Sequence, residues 1–263
     1  MCAAFGQVEL APCRLTSLWH ARGVSAARVT LIGGGWTDSA LPAVYGPFLA
    51  AAGEDPTVAC VVIDEGDGPE QFARWQAALT AVAPCRPVPV LVPLGATLDT
   101  EALADAGALL VCGGLTPAYA DALAPVADPV RAWLAAGRPY AGFSAGAAVA
   151  VAEALVGGYR VDGRAVCPPD AGEDLEEVTV TRGLGLVDVT VDVHAATWGT
   201  LARAVAAVAS GRASEVHAID EDTALTVDAD GRRQVVGLGA VHVVSADGDG
   251  VAVRSVAAGR PLS

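Results

Sequence analysis

The sequence predicts an α/β fold: a mostly parallel sheet covered by helices on both faces, with β-rich additions toward the C-terminus. Three observations carry this expectation. Short, nearly continuous apolar runs alternate with helix-length segments, glycine turns close several of the runs, and after residue 155 the alternation gives way to shorter β-like runs. The first run, 28–32, ends in Gly33-Gly34-Gly35 and precedes a helix-like stretch over 41–52. The same order recurs with 58–63 before 71–83, with 88–92 before a stretch near 100–106, and with 108–112 before 118–124. Arg138-Pro139-Tyr140-Ala141 then leads into Gly142-Phe143-Ser144-Ala145-Gly146 and a small-residue run. The segment 157–177, with Gly157-Gly158, Pro168-Pro169 and the acidic residues Glu173, Asp174, Glu176 and Glu177, reads as a long loop. Beyond it the pattern predicts a strand over 189–193, a helix over 200–209, and strands near 216–219, 224–227, 235–236 and 241–244. Asp230-Gly231 and Asp247-Gly248 are hairpin signals.

Composition bounds the setting. With 263 residues and 53% hydrophobic content, the chain can bury the core of one large domain, expected over 28–263 behind an N-terminal extension at 1–27. No internal repeat is visible. No run of eighteen apolar residues occurs, and Glu9 and Arg14 interrupt the N-terminal stretch where a secretory signal would need a long apolar core, so a soluble cytoplasmic protein is expected. A net charge of −14 with scattered carboxylates argues against nucleic acid or an anionic membrane as partner. All 16 basic residues are arginine, and asparagine is missing too. That excludes Schiff-base, Walker-type and Ser-Lys chemistry, and an asparagine in a triad. Cys2, Cys13, Cys60, Cys85, Cys112 and Cys167 are widely spaced, without a C-x-x-C pair or histidines at ligand spacing, so reduced thiols and no metal are expected.

Gly142-Phe143-Ser144-Ala145-Gly146 carries the chemistry. A serine between strand and helix, flanked by glycines, suits a nucleophile elbow, whose strained turn packs strand and helix too closely for side chains. An ordinary turn in a glycine- and alanine-rich chain has the same pattern. A serine needs a base, commonly a histidine held by a carboxylate. Among His20, His194, His217 and His242, only His194 ends an apolar run, 189–193, directly before a small-residue stretch entering a helix. The other three have no such positioning, and His217 and His242 alternate with apolar residues as packed or surface histidines do. For the acid, Asp220, Glu221 and Asp222 interrupt two apolar runs, and local reasoning does not choose among them. The amide of Ala145 and an amide of Gly113-Gly114 can serve an oxyanion; the glycine pair also fits a plain tight turn.

Together these motifs resemble the cyanophycinase and dipeptidase E family of serine peptidases. The match runs through Val111-Cys112-Gly113-Gly114-Leu115-Thr116, Gly142-Phe143-Ser144-Ala145-Gly146-Ala147, Gly183-Leu184-Gly185-Leu186 into Asp192-Val193-His194, and Ile219-Asp220-Glu221-Asp222-Thr223-Ala224-Leu225. Order and spacing agree from about Val29 to Val227. The resemblance implies a class I glutamine amidotransferase-like, flavodoxin-like three-layer α/β/α sandwich. It also implies Ser144 as nucleophile, His194 as base, Glu221 as orienting acid, and Gly114 with Ala145 as oxyanion donors. A small peptide or amide substrate, no cofactor and a homodimer follow from it too.

The resemblance places substrate contacts at Leu115, Thr116, Asp192, Trp198 and Arg203, and several of these positions depart from the family's pattern. Cyanophycinases follow the Asp-x-His element with several arginines; here Trp198 and Thr200 take two such places and Arg203 alone remains. Leu115-Thr116 replaces Asp-Gln, and Val193 replaces a glutamine. A more apolar pocket is implied, and hydrolysis of the β-Asp-Arg polymer is disfavoured. An N-terminal aspartate, which dipeptidase E-like enzymes prefer, would call on Arg203, Arg160 or Arg164. Two further readings stand beside this one. An α/β-hydrolase esterase would use His242 with Asp220 or Asp222, and a non-catalytic protein would keep the fold for binding alone.

Overall fold

The computed structural model describes residues 27–262. The expected N-terminal extension, except for its last residue, lies outside the described residues, as do Cys2, Cys13 and His20. The strands β1 (Ala27–Ile32), β2 (Thr57–Asp64), β3 (Arg86–Pro93), β4 (Ala108–Val111) and β5 (Tyr140–Phe143) are the apolar runs of the first half. They pair in parallel in the order β1-β5-β4-β2-β3. Beyond β1, the strands β12 (Thr223–Asp228), β13 (Arg233–Gly237) and β16 (Pro261–Leu262) continue the sheet antiparallel to eight strands.

The two-residue period of a strand explains the layers. On β2, Val58, Cys60 and Val62 pack with Phe48, Trp75 and Leu79 from α1 (Leu41–Ala52) and α2 (Gly68–Val82). Ala59, Val61 and Ile63 point the other way, onto Tyr119, Leu123 and Trp133 from α3 (Thr116–Leu123) and α4 (Ala127–Ala135). A strand buried on both faces must be apolar throughout, which is why β2 reads as a continuous run. The result is a three-layer α/β/α sandwich.

Several elements differ from the sequence expectation. β3 is an edge strand, with Val88 and Leu91 each 37% exposed, because Pro87, Pro89 and Pro93 cannot donate to a further ladder. The stretch near 100–106 is a short 3₁₀ turn, Thr100–Leu103, and α4 has no counterpart among the expected helices, since Pro125 and Pro129 break its apolar period. The C-terminal strands divide between two sheets. β10 (Thr190–Val193), β11 (Glu215–Ile219), β14 (Ala240–Asp247) and β15 (Gly250–Ala257) form a second, four-stranded sheet. The helix α6 (Leu201–Ala209) packs on it through Ala204 and Val208. Asp230-Gly231 and Asp247-Gly248 lie at the β12–β13 and β14–β15 turns, as their sequence predicts.

The segment 157–177 is more ordered than a loop. β6 (Glu153–Gly157) pairs antiparallel with β9 (Thr179–Arg182), and a small hairpin, β7 (Arg160–Val161) with β8 (Arg164–Ala165), projects between them. Among the described residues, no helix is long and apolar enough to cross a membrane. Cys60 and Cys112 are fully buried free thiols whose pKa burial raises, consistent with small packed hydrophobes.

Candidate active site

Ser144 joins β5 to the short helix α5 (Ala145–Val149) in a backbone conformation of φ 51° and ψ −110°, which L-residues rarely adopt. Holding it costs about 1–3 kcal/mol and persists only where the surroundings dictate it. Here they do. The Ser144 amide donates to Ile32 O of β1 at 2.9 Å, and the Gly146 amide donates to Cys112 O at 3.1 Å. A Cβ on Gly142 would lie 2.3 Å from Gly146 O, so the glycine is required by close approach. The Tyr140 hydroxyl, donating to Gly146 O at 2.7 Å, braces the turn from below.

His194 leaves β10 with φ 57°, anchored by its amide to Gly33 O at 2.9 Å. Its Nε2 lies 2.8 Å from Ser144 Oγ, and its Nδ1 lies 2.7 Å from Glu221 Oε1. In the arrangement that satisfies all three groups, Nδ1–H donates to Glu221 and Nε2 accepts from the serine hydroxyl. Burial lowers the pKa of His194, and the hydrogen bond and charge of Glu221 offset only part of that, so the neutral imidazole needed to accept a proton is favoured. Gly34 passes so near that a Cβ there would stand 2.2 Å from the imidazole Cε1. One face of the ring is covered by Trp198, stacked at 3.9 Å between centroids and 8° between planes.

The three consecutive carboxylates separate by partner. Asp220 accepts from the amides of Ala196 and Ala240 and from His242 Nε2 at 3.2 Å. Asp222 accepts from the Thr37 amide at 3.0 Å and its hydroxyl at 2.6 Å. Both therefore fix loops around the site, and Glu221 alone reaches His194. His242, the base of the esterase reading, is engaged with Asp220 and Ser255, while Ser144 Oγ faces His194. His217 is buried in β11 against Glu215, a packed histidine with a burial-lowered pKa.

Ser144 and His194 open into a cavity of about 800 Å³. Gly114 and Leu115 line it, and the amides of Gly114 and Ala145 carry no hydrogen bond among the described residues, leaving both donors free for an oxyanion. Trp198 also lines the cavity, 40% exposed. Thr116 does not: it is buried at the start of α3, its amide donating to Glu173 Oε2 at 2.9 Å.

Asp192 and Arg203 need correction as substrate contacts. Asp192 is fully buried and Arg203 is 4% exposed. They form a two-pronged pair, Nε to Oδ2 at 2.9 Å and Nη2 to Oδ1 at 2.6 Å, while Nη1 of Arg203 donates to Gly158 O and Ala171 O. Burial opposes the Arg203 charge, and Asp192 more than offsets it. With every edge of the guanidinium engaged, the pair ties the 157–177 segment to β10. Arg160 lies on Tyr159 and Glu176 at the surface, and Arg164 sits exposed in β8, neither in the cavity wall. The expected apolar pocket is acidic instead, because Asp170, Glu173, Asp174 and Glu176 of the 157–177 segment join Glu65 in lining it. Burial raises the pKa of Glu173, partly countered by its Thr116 hydrogen bond. Arg74 of α2, which sequence reasoning passed over, lines the cavity too. Its place in the opening turns of a helix that follows a strand end was the available signal.

No family model matches the chain, and no curated protein does. Several solved structures share its fold, among them two described as peptidases. A peptidase from an acI-B1 Actinobacterium is 20% identical with a TM-score of 0.61, over 89% of this chain and 96% of that one. A proposed peptidase E from Listeria monocytogenes EGD-e is 16% identical with a TM-score of 0.51, over 89% of this chain and 100% of that one. The likeness covers the large, mostly parallel sheet, its helices and the added C-terminal strands.

Proposed function

We propose that this chain is a serine hydrolase that cleaves a peptide, isopeptide or related amide bond in a small substrate through an acyl-enzyme. The observation that carries the proposal is the unbroken line from Ser144 Oγ through both ring nitrogens of His194 to Glu221, at 2.8 and 2.7 Å. Ser144 Oγ attacks the carbonyl carbon as its proton passes to Nε2. Glu221, holding Nδ1–H, fixes the ring and stabilises the imidazolium that forms. The tetrahedral oxyanion takes the amides of Gly114 and Ala145, each such donor contributing about a hundredfold to a thousandfold in rate. Nε2–H then protonates the departing amine, and water repeats the sequence on the ester. That these two solved neighbours are described as peptidases supports an amide as the scissile bond.

A fluorophosphonate probe tests the reading. The wild-type protein should be modified at Ser144, His194→Ala should lose the modification, and His242→Ala should retain it. Labelling of His194→Ala at the wild-type rate would reject the triad. A wild type that resists labelling would favour a binding protein that has kept only the fold.

A further inference from the structure

The substrate's charge pattern can be read from the cavity wall, given Ser144 as the nucleophile. Arg74 is the one arginine among the lining residues, and the chain contains no lysine. Its guanidinium carbon lies 4.2 Å from the centroid of Trp36. Trp36 in turn packs on Trp75 at 5.3 Å and on Phe143, the residue before Ser144, at 4.8 Å. Stacking on a ring uses the flat face of the guanidinium and leaves its N–H edge available. Arg74 makes no ion pair or hydrogen bond among the described residues, in contrast to the fully engaged Arg203. A planar fork of donors, held on an aromatic platform beside the nucleophile and left unpaired in a chain of net charge −14, suits one ligand group above others: a carboxylate.

The rest of the wall bears the opposite sign. Glu65 Oε1 lies 3.8 Å from where a side chain on Gly114 would begin, beside the oxyanion amide. Glu173 holds the Thr116 amide two residues further along the same loop. Carboxylates there oppose a developing oxyanion unless a positive group sits among them. The α-ammonium of a peptide with a free amino end, two bonds from the scissile carbonyl, is such a group.

We propose that Arg74 anchors the C-terminal carboxylate of a small zwitterionic peptide whose free amino end faces Glu65 and Glu173. A second acidic group on the substrate would meet the carboxylate wall, so an acidic dipeptide binds less well than a neutral one.

The test measures binding without turnover, in a Ser144→Ala background. Alanyl-leucine, its C-terminal amide and aspartyl-leucine are titrated by calorimetry. The free dipeptide should bind at least about tenfold more tightly than its amide, as expected for a two-pronged arginine contact, and more tightly than aspartyl-leucine. Adding Arg74→Gln should abolish the preference for the free acid, Arg74→Lys should keep part of it, and Arg164→Gln should leave it intact. Equal affinity for acid and amide, a preference that survives Arg74→Gln, or no binding of either would overturn the proposal. Fluorophosphonate labelling of the wild type reports on Ser144 separately, so loss of the nucleophile reading and loss of the Arg74 reading are distinguishable.

Discussion

Replacing Gly34 by alanine should disable the site without unfolding the protein. The added Cβ would stand 2.2 Å from Cε1 and 2.5 Å from Nδ1 of His194, where ordinary contact begins at 3.4 Å, so the ring must retreat by about 1.2 Å. The Ser144–His194 bond of 2.8 Å cannot absorb that, since beyond about 3.5 Å it is no longer a hydrogen bond. A displacement of about 1 Å in a catalytic geometry costs about a hundredfold in rate. The φ of 109° at Gly34 adds strain of about 1–3 kcal/mol for any side chain, which lowers stability but does not move the ring. Gly53→Ala separates the two effects, because Gly53 has a similar φ of 92° and nothing within 4 Å of its added Cβ. The assay is the second-order rate of fluorophosphonate labelling by intact-mass spectrometry, beside thermal melting. Gly34→Ala should label at least about a hundredfold more slowly, while Gly53→Ala loses stability and labels at the wild-type rate. A Gly34→Ala protein that labels as fast as Gly53→Ala would refute the argument that this contact sets the ring.

Three further outcomes follow from the same geometry. Because burial lowers the His194 pKa, the base is present above its folded value and lost as pH falls through it; the acid limb of labelling should therefore have its midpoint below the ordinary histidine value of about 6.5. A midpoint at or above that value contradicts it. Trp198→Ala removes a stacked pair whose typical worth of about 0.5–1.5 kcal/mol implies a loss of roughly twofold to twelvefold in labelling rate, and Trp198→Phe should restore much of it. Asp192→Ala leaves the Arg203 charge buried without its partner, which should cost about 3–5 kcal/mol in denaturant unfolding and expose the 157–177 segment to proteolysis. An unchanged unfolding midpoint would mean the pair does not hold that segment.

The serine and histidine of the proposed triad were legible because each sits where local sequence changes character. Ser144 lies between a strand and a small-residue helix, and His194 terminates an apolar run. The carboxylates illustrate the limit. Asp220, Glu221 and Asp222 are equivalent by local pattern, and partners distant in the chain, the amides of Ala196, Ala240 and Thr37 with the Thr37 hydroxyl and His242, draw two of them away. Resemblance chose Glu221, and the geometry agrees in placing it against His194. Arginine was harder to read. Arg203 lies in an otherwise apolar helix, Leu201–Ala209, and that context points to a buried partner; its partner Asp192 is buried in a strand of another element. Arg74 looks like any solvated helix residue until the fold brings Trp36 beneath it. The acidic wall depends on how the 157–177 segment folds back, which glycine and proline spacing does not specify.

The central claim is that Ser144, His194 and Glu221 act as one unit, and a double-mutant cycle on the labelling rate tests it most directly. His194→Ala, Glu221→Ala and the double variant are compared with wild type at Ser144. If Glu221 acts only by orienting His194, its loss slows labelling markedly on its own and adds nothing once His194 is gone, so the double variant labels at the rate of His194→Ala. Losses that multiply in the double variant, or a Glu221→Ala protein as reactive as wild type, would contradict the account.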